Sequence, residues 1–287
     1  MNLKWIGIAL AASIGVAQSQ TEKTSTPKFE VASVRLNRSP DPGKALMQFL
    51  PGGRFVTTNI PLIRVIAVAW DLSMQSQRLT LAPGVRMPDV IYDIEATAEK
   101  GALPPGLTPM ERFSRTKLML QALLEDRFQL RIHREPREEP VYALVIGKGG
   151  PKLEKSKFQE QDCDDTVPNW ISNPACHFLD GGQGRGLHGA SVTIAQVVEG
   201  VQDYTDRPLL DNTGLTGYYN IQTEGWVPMR VIPASLDGAP QISGSSANNS
   251  DRPTLFDVFE KLGLHMEPQR AVIDMFVIDR VERPSEN

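Results

Sequence analysis

Cysteine and histidine are scarce in this sequence, which has two cysteines and four histidines among 287 residues. The low cysteine content excludes a disulfide-dense miniprotein. Ordinary proportions of apolar (40%) and charged (22%) residues exclude a disordered chain and a collagen-like repeat. The sequence also lacks the HExxH, GxSxG, CxxC and Walker A patterns, so no motif identifies a reaction.

Positive charge is not in excess either. The chain has 30 Lys and Arg against 34 Asp and Glu. Without residues 1–19, whose one charge is Lys4, the balance is 29 basic and 34 acidic groups, a net charge of −5. Nucleic acids and anionic membranes attract proteins that carry a positive field. We therefore expect no nucleic-acid partner.

The N-terminus has the pattern of a secretory signal peptide. Lys4 precedes the uncharged run Trp5–Ala17, which as a helix would span about 20 Å, less than the roughly 30 Å hydrocarbon core. Small residues near its end offer a cleavage site. We predict a signal peptide over 1–19, a linker over 20–28 and an exported protein, periplasmic or extracellular, with no stable membrane span after cleavage. The alternative is an uncleaved membrane anchor.

The two cysteines are interpretable if the chain is exported. Cys163 and Cys176 lie 13 positions apart in a polar segment that cannot pack by itself. In an oxidising compartment two such cysteines usually pair, and the closed loop would stabilise the fold by about 3 kcal/mol. We predict a structural disulfide. A metal site with His177 is the alternative, and it lacks a second spaced pair of ligands.

From position 29 onward the sequence predicts an α+β protein. Alternating apolar residues indicate strands, and apolar residues three and four positions apart indicate helices. The second helix carries Lys117 on its apolar face, and Thr254 with Asp257 has the spacing of a capping box. Helices are expected over 62–70, 110–126, 191–201 and 254–262.

Each half of the chain is predicted to follow the order strand, helix, strand, helix and hairpin. In the first half the charged, proline-containing segment Arg134–Pro140 is expected to be the hairpin turn, and Val141–Ile146 the returning strand. In the second half the stretch Leu264–Arg280, broken by Pro268, is expected to form the other hairpin.

Short matching sequences indicate that the halves are repeats. Tyr92-Asp-Ile-Glu-Ala corresponds to the Tyr-Asn-Ile-Gln-Thr that starts at Tyr219. We interpret the match as duplication, with coincidence between common α+β units as the alternative. The predicted organisation has two pseudo-repeated halves with antiparallel or mixed sheets: a first half over 29–158, a disulfide-bearing linker loop over 159–186, and a second half over 187–287 with a mobile loop near 227–252.

Candidate catalytic groups are few. His133 and His265 are predicted in corresponding strands, which indicates a structural position. Gly181–Gly186 lacks the Lys-Ser/Thr of a phosphate loop and is typical of a flexible linker, although a nucleotide site is the alternative. Asp93 and Glu95 could share a proton, but alternation places both on the solvent side of their strand. The sequence therefore assigns no catalytic, metal or cofactor-binding residue, and we expect no cofactor.

Nine segments have a familiar pattern: Phe29–Val34, Thr58–Leu62, Tyr92–Ala96, Leu123–Phe128, His133–Glu135, Pro140–Leu144, Lys148–Leu153, Arg207–Tyr219 and Val277–Asn287. Together they resemble a family of uncharacterised exported proteins from soil bacteria of the acidobacterial type, the DUF3738 family. One departure is the segment Ala82–Pro88, where the family pattern has Gly-Gly-Pro-x-Trp.

The resemblance implies no catalytic residues, because the family has no assigned activity. Similar domains follow membrane metallopeptidases of a sensor type, which implies extracytoplasmic sensing or binding. The helix-and-hairpin unit is also similar to the short N-terminal domain of secretins and TonB-dependent receptors. We therefore expect a binding, interaction or sensory module whose partner is an extracytoplasmic protein or a small ligand. An unrecognised extracytoplasmic hydrolase is the alternative.

Overall fold

The computed structural model describes residues 27–38, 41, 44–157, 178–227, 229 and 252–284. These residues form four α-helices and twelve strands, so the predicted α+β class is confirmed. The helices are α1 (Leu62–Ala69), α2 (Pro109–Arg127), α3 (Ile194–Gln202) and α4 (Leu255–Lys261). The strands are β1 (Phe29–Leu36), β2 (Leu46–Leu50), β3 (Arg54–Thr58), β4 (Leu79–Leu81), β5 (Tyr92–Ala98), β6 (Arg131–Ile146), β7 (Glu154–Lys155), β8 (Phe178–Gly182), β9 (Gly186–Val192), β10 (Leu209–Asp211), β11 (Tyr219–Gln222) and β12 (Leu264–Arg280).

The strands of the described chain assemble into three four-stranded sheets. The first sheet has the order β1-β5-β3-β2 and the third has the order β7-β11-β9-β8, and both are antiparallel. The central sheet has the order β10-β6-β12-β4, in which the long strands β6 and β12 are antiparallel and each outer strand is parallel to its neighbour.

A short strand from each half pairs with the long strand of the other half. The strand β4 from the first half pairs with β12, where the Phe276 N–H donates to the Arg78 carbonyl at 2.7 Å. The strand β10 from the second half pairs with β6, where the Tyr142 N–H donates to the Pro208 carbonyl at 2.8 Å. The central sheet therefore joins the halves by reciprocal exchange.

The first and third sheets contain matching hydrogen bonds. The Asn59 N–H donates to Asp93 Oδ1 at 3.1 Å, and the Ser191 N–H donates to Asn220 Oδ1 at 3.3 Å. Asn59 and Ser191 both have positive φ, 61° and 52°, just before a helix. These contacts support the predicted duplication of the halves, which stays a prediction.

The hairpins predicted at the end of each half are wrong. β6 and β12 are single continuous strands that pair with each other along their whole length. Along a strand, alternate N–H groups point to opposite sides. Since the Tyr142 N–H points away from β12, the nitrogens of Pro140 and Pro136 do so too. In β12 the Phe276 N–H points towards β4 and away from β6. Pro268 lies an even number of positions from Phe276, so its nitrogen also points away from β6. None of these prolines interrupts the ladder between the long strands.

The long strands also connect two hydrophobic cores. The first core lies between the first sheet and helices α1 and α2, and it includes Ile278 of β12. The second lies around α3, α4 and the third sheet, and it includes Leu144 of β6. Both residues are fully buried, and burial of such a side chain stabilises a fold by about 1.5–3 kcal/mol. Each core is therefore completed by the other half.

Several predicted features lie outside the described residues. They are the signal peptide, both cysteines, and most of the loop near 227–252. The end of the predicted linker loop is described, and residues 178–186 form β8 and the turn into β9 rather than a linker.

Candidate functional site

A cleft of about 170 Å³ lies between the segment that follows α1 and one face of α3. Its walls come from both halves of the chain, and we call it the central cleft. A cavity of about 150 Å³ holds one benzene molecule, so the central cleft accommodates a group of similar size. Its lining residues are Asp71, Leu72, Ser73, Ser76, Arg78, Ala195, Val198, Glu199 and Gln202.

The end of α1 positions Asp71 at the cleft. The Leu72 N–H donates to the Ala67 carbonyl at 2.9 Å, and the Asp71 N–H donates to the Val68 carbonyl at 3.3 Å. This pair of bonds is a Schellman motif, in which the left-handed residue is usually glycine. Here it is Asp71, with a φ of 58°. An aspartate in this conformation is less favourable than glycine, which suggests that its side chain has a separate use.

Asp71 accepts a hydrogen bond from the buried ammonium group of Lys117 in α2. The Lys117 side chain is 6% exposed, whereas that of Asp71 is 71% exposed. The Lys117 Nζ also lies 4.4 Å from the centre of the Phe113 ring. Desolvation by burial lowers the pKa of Lys117, and the charge of Glu199 raises it in part. A charged group is thus held out of water directly behind the cleft wall.

Glu199 of α3 faces Lys117 from the other half. Glu199 is exposed, and partial desolvation is the main cause that raises its pKa. The charge of Lys117 lowers that pKa and the charge of Asp203 raises it, both by smaller amounts. Glu199 makes no ion pair within 4.0 Å among the described residues.

Arg78 is the third ionisable residue of the lining. Its Nε donates to the Asp274 carbonyl at 3.0 Å, and its guanidinium lies 5.6 Å from the centre of the Phe276 ring. Desolvation lowers the pKa of Arg78, the charge of Asp274 raises it, and the nearby Arg134 lowers it. The guanidinium is therefore anchored to the central sheet.

Ser73 is a further polar residue of the lining, but its hydroxyl is not exposed to the cleft. Its Oγ is buried and has no hydrogen-bond partner among the described residues. Thr57 Oγ1, Gln183 Oε1 and Trp226 Nε1 are in the same state elsewhere in the described chain, so this feature is not specific to the cleft.

Hydrogen bonds beside the cleft connect the halves directly. The Gln75 N–H donates to Asp203 Oδ1 at 2.8 Å, and the Gln77 side-chain amide donates to the Thr205 carbonyl at 2.9 Å. The cleft therefore lies at a hydrogen-bonded junction of the halves.

The histidines singled out from the sequence do not reach the cleft. His133 and His265 lie in the paired strands β6 and β12, and both are exposed. His133 Nδ1 lies 2.7 Å from an Asp279 carboxylate oxygen, and His265 pairs with Glu260. These contacts are surface pairs, and Cys163 and Cys176 lie outside the described residues.

The glycine-rich segment and the paired carboxylates have structural explanations. Gly181 has a φ of 116°, and a Cβ there would lie 1.8 Å from the Gly186 carbonyl oxygen. Glycine is thus required by the tight β8–β9 hairpin rather than by a phosphate. Asp93 holds the backbone of Asn59, and Glu95 pairs with Arg54 at 2.5 Å on the exposed face of the first sheet. Neither carboxylate lines the central cleft.

The sequence does not predict the cleft, although two of its residues give a local indication. Lys117 is a charged residue on the apolar face of a helix, and Asp71 occupies a helix end where glycine is usual. Glu199 gave no such indication, because an acidic residue on the polar side of a helix is ordinary. Only the packing of α2 and α3 against the end of α1 brings the three together.

A metal site and a membrane-spanning helix are both absent from the described residues. No group of three or more His, Cys, Asp or Glu side chains there could hold a metal ion. No helix in the same residues is long and apolar enough to cross a membrane.

Comparison with known proteins identifies one family. Residues 63–281, which are 219 of the 287 positions, match the family model described as protein of unknown function, DUF3738. The comparisons with curated proteins and with solved structures gave no match. The matched region includes every residue that lines the central cleft. The chain therefore belongs to the DUF3738 family.

Proposed function

We propose that this protein is a binding module and that its ligand occupies the central cleft. One observation carries the proposal: the cleft lies at the hydrogen-bonded junction of the two halves, and three charged residues, Asp71, Arg78 and Glu199, line it beside an apolar wall. Partial desolvation lowers the pKa of Arg78 and raises that of Glu199, and groups with perturbed pKa values are concentrated at functional sites. The small volume suits a ligand of about six non-hydrogen atoms.

The lining favours binding over hydrolysis. A hydrolase without a cofactor needs a nucleophile or a water molecule activated by a base. The lining contains no histidine or cysteine among the described residues, and neither of its carboxylates, Asp71 and Glu199, is hydrogen-bonded to a hydroxyl there that it could activate. The hydroxyl of Ser73 makes no hydrogen bond that would activate it. Binding needs only the apolar wall and the polar groups that are present.

A fragment titration tests this proposal. Isotope-labelled protein is titrated with compounds of up to about ten non-hydrogen atoms, and backbone amide shifts are recorded. We expect saturable shifts over residues 71–78 and 195–202. Ala195→Trp places a large ring in the cleft from an exposed helix position, so it should abolish the shifts. Glu125→Trp, on the exposed side of α2, is the control and should leave them unchanged.

Two results would contradict the proposal. One is saturable binding elsewhere that Ala195→Trp does not affect. The other is turnover of an ester or peptide substrate that Ala195→Trp abolishes, which would favour the hydrolase alternative.

We also propose that the protein is exported and works in the periplasm or outside the cell. The support is the basic Lys4 followed by the uncharged run Trp5–Ala17. Residues 1–28 fused to alkaline phosphatase, which folds only in an oxidising compartment, should give active enzyme. Leu10→Arg in the fusion should remove that activity, and an inactive unmutated fusion would refute export.

A further inference from the structure

The strand β2 forms one edge of the first sheet, where it pairs only with β3 among the described residues. The backbone donors and acceptors of β2 that point away from β3 make no hydrogen bond within the described chain. Its five residues carry no charge and include no proline. An open edge of this kind pairs readily with another strand, and proteins usually protect it with charges, prolines, bulges or a short length.

The other edge strands of the described sheets have such protection. At the opposite edge of the first sheet, β1 has an irregular register between Phe29 and Val31 and carries charges of both signs. The edge strands of the central sheet, β4 and β10, have three residues each. In the third sheet β7 has two residues, both charged, and β8 contains Asp180. Within the part of the chain that the structure describes, β2 is therefore the one unprotected edge strand.

The sequence of β2 is complementary to itself when two copies run antiparallel. A pairing centred on Gln48 places Leu46 of one copy opposite Leu50 of the other, and Met47 opposite Phe49. Directly opposed side chains on neighbouring strands have Cβ atoms about 4.5–5.5 Å apart and interact. Leucine then meets leucine, the methionine sulfur meets an aromatic ring, and the two Gln48 amides can donate to each other.

Apolar surface continues from β2 onto the neighbouring helix. Met47 and Phe49 pack against the first core and are only partly buried. The Phe113 ring of α2 lies 4.8 Å from the Phe49 ring and is 38% exposed, while Leu46 on the other face of β2 is 40% exposed. A strand added to the edge would cover apolar groups on both faces of the sheet, which favours the addition.

The charges next to β2 do not oppose a second copy. Lys44 Nζ lies 3.5 Å from an Asp41 carboxylate oxygen, and Arg54 at the start of β3 pairs with Glu95 of β5 at 2.5 Å. Each basic group therefore has a counter-ion within its own copy. Two uncharged strands can then approach each other without local repulsion.

We propose that this protein dimerises through β2, and that the strand added to its edge is β2 of a second copy of the chain. A twofold axis at Gln48 makes the contact isologous, so each β2 closes the edge of the other and the assembly ends at two copies. The two four-stranded first sheets would form one sheet of eight strands. No residue of β2 lines the central cleft, so the proposal is independent of the proposed binding function.

The size of the contact predicts a weak dimer. A strand of five residues is about 17 Å long, whereas stable interfaces bury about 1,200–2,000 Å² in total. A contact of this length buries less than that. We therefore expect an equilibrium between monomer and dimer at chain concentrations of about 10–1,000 µM.

Sedimentation equilibrium of the full chain over this concentration range tests the proposal. Gln48→Lys and Gln48→Glu each place two like charges opposite each other across the axis, and only in the dimer. Each variant alone should weaken association at least about tenfold, because like charges that face each other in an interface are strongly unfavourable. An equimolar mixture should associate again, because lysine then faces glutamate. Recovery in the mixture also shows that the variants are folded.

Leu46→Lys and Leu81→Lys form a matched pair, since both leucines are 40% exposed on edge strands. Leu46→Lys in β2 should weaken association at least about tenfold, and Leu81→Lys in β4 should leave it unchanged. A chain that stays monomeric up to about 1 mM refutes the proposal. So does a dimer that both Gln48→Lys and Leu46→Lys leave intact, or a mixture of the two Gln48 variants that stays monomeric while each variant unfolds cooperatively on heating.

Discussion

The ammonium group of Lys117 in α2 donates a hydrogen bond to Asp71 at the left-handed end of α1. The pair joins two helices of the first half at the wall of the central cleft. Its partners are unequally exposed, since the Lys117 side chain is 6% exposed and that of Asp71 is 71% exposed. Removal of one partner should therefore differ in its effect from removal of the other.

Asp71→Asn should destabilise the protein, and Lys117→Met should not. Asparagine tolerates the left-handed conformation but leaves the buried ammonium without its counter-ion, at a cost of about 1 kcal/mol because the pair is partly solvated. Methionine replaces the ammonium by an apolar group and leaves only an exposed carboxylate. Urea denaturation gives both free energies of unfolding. A larger loss for Lys117→Met would show that the ion pair stabilises the fold.

Glu199→Gln should stabilise the protein in a pH-dependent manner. Desolvation raises the pKa of Glu199 above its ordinary value of 4.5, so ionisation is harder in the folded state than in the unfolded state. The free-energy cost of ionising Glu199 in the folded state is absent well below pH 4.5. It grows as the pH rises and reaches its full value above the raised pKa. Unfolding free energies at pH 4 and pH 7 measure it. The gain should be larger at pH 7, and a gain independent of pH would contradict the prediction. Lys117 and Asp203, whose charges also act on Glu199, are present in both the wild-type protein and the variant.

Proline substitution should distinguish the two sides of β6. The Tyr142 N–H points away from β12, and residue 137 lies an odd number of positions from residue 142. The Arg137 N–H therefore points towards β12. Arg137→Pro therefore removes a ladder hydrogen bond and should cost about 2 kcal/mol or more. Glu138→Pro, at an outward position like Pro136 and Pro140, should cost less than about 1 kcal/mol. Equal losses in urea denaturation would refute the continuous strand pairing.

The double substitution of Asp93→Asn and Glu95→Gln should leave the fold and any cleft binding nearly intact. The third sheet already has Asn220 and Gln222 in the matching positions of β11. An asparagine oxygen can still accept from the Asn59 N–H, and the exposed pair of Glu95 with Arg54 is worth less than about 1 kcal/mol. Thermal unfolding and the fragment titration check both points. Loss of a hydrolytic activity at unchanged stability would instead favour an enzyme.

If the protein is exported as proposed, Cys163 and Cys176 should form a disulfide. Unfolded, unreduced protein should show no reactive thiol, and reduction should release two. Cys163→Ser and Cys176→Ser should each lower the free energy of unfolding by a similar amount, about 3 kcal/mol, because either one opens the same loop. Two reactive thiols before reduction would disprove the pairing.

Local sequence was sufficient for most elements of the fold. The helix predicted over 62–70 is α1, and the one predicted over 110–126 is α2 within a residue at each end. The capping box of Thr254 and Asp257 is confirmed by hydrogen bonds of 2.8 and 3.2 Å. These features depend on hydrogen bonds and apolar periodicity within a few residues, so the sequence contains the information directly.

Tertiary structure decided the central sheet and the cleft. Pro136 and Pro140 look like turn residues in the sequence, and they are compatible with a strand only because β12 lies on the other side from their nitrogens. Lys117 and Glu199 are 82 positions apart and meet because α2 and α3 both pack beside the end of α1. The direction of a backbone donor and the desolvation of a charge both depend on which distant segment lies opposite, and no local pattern in the chain specifies that neighbour.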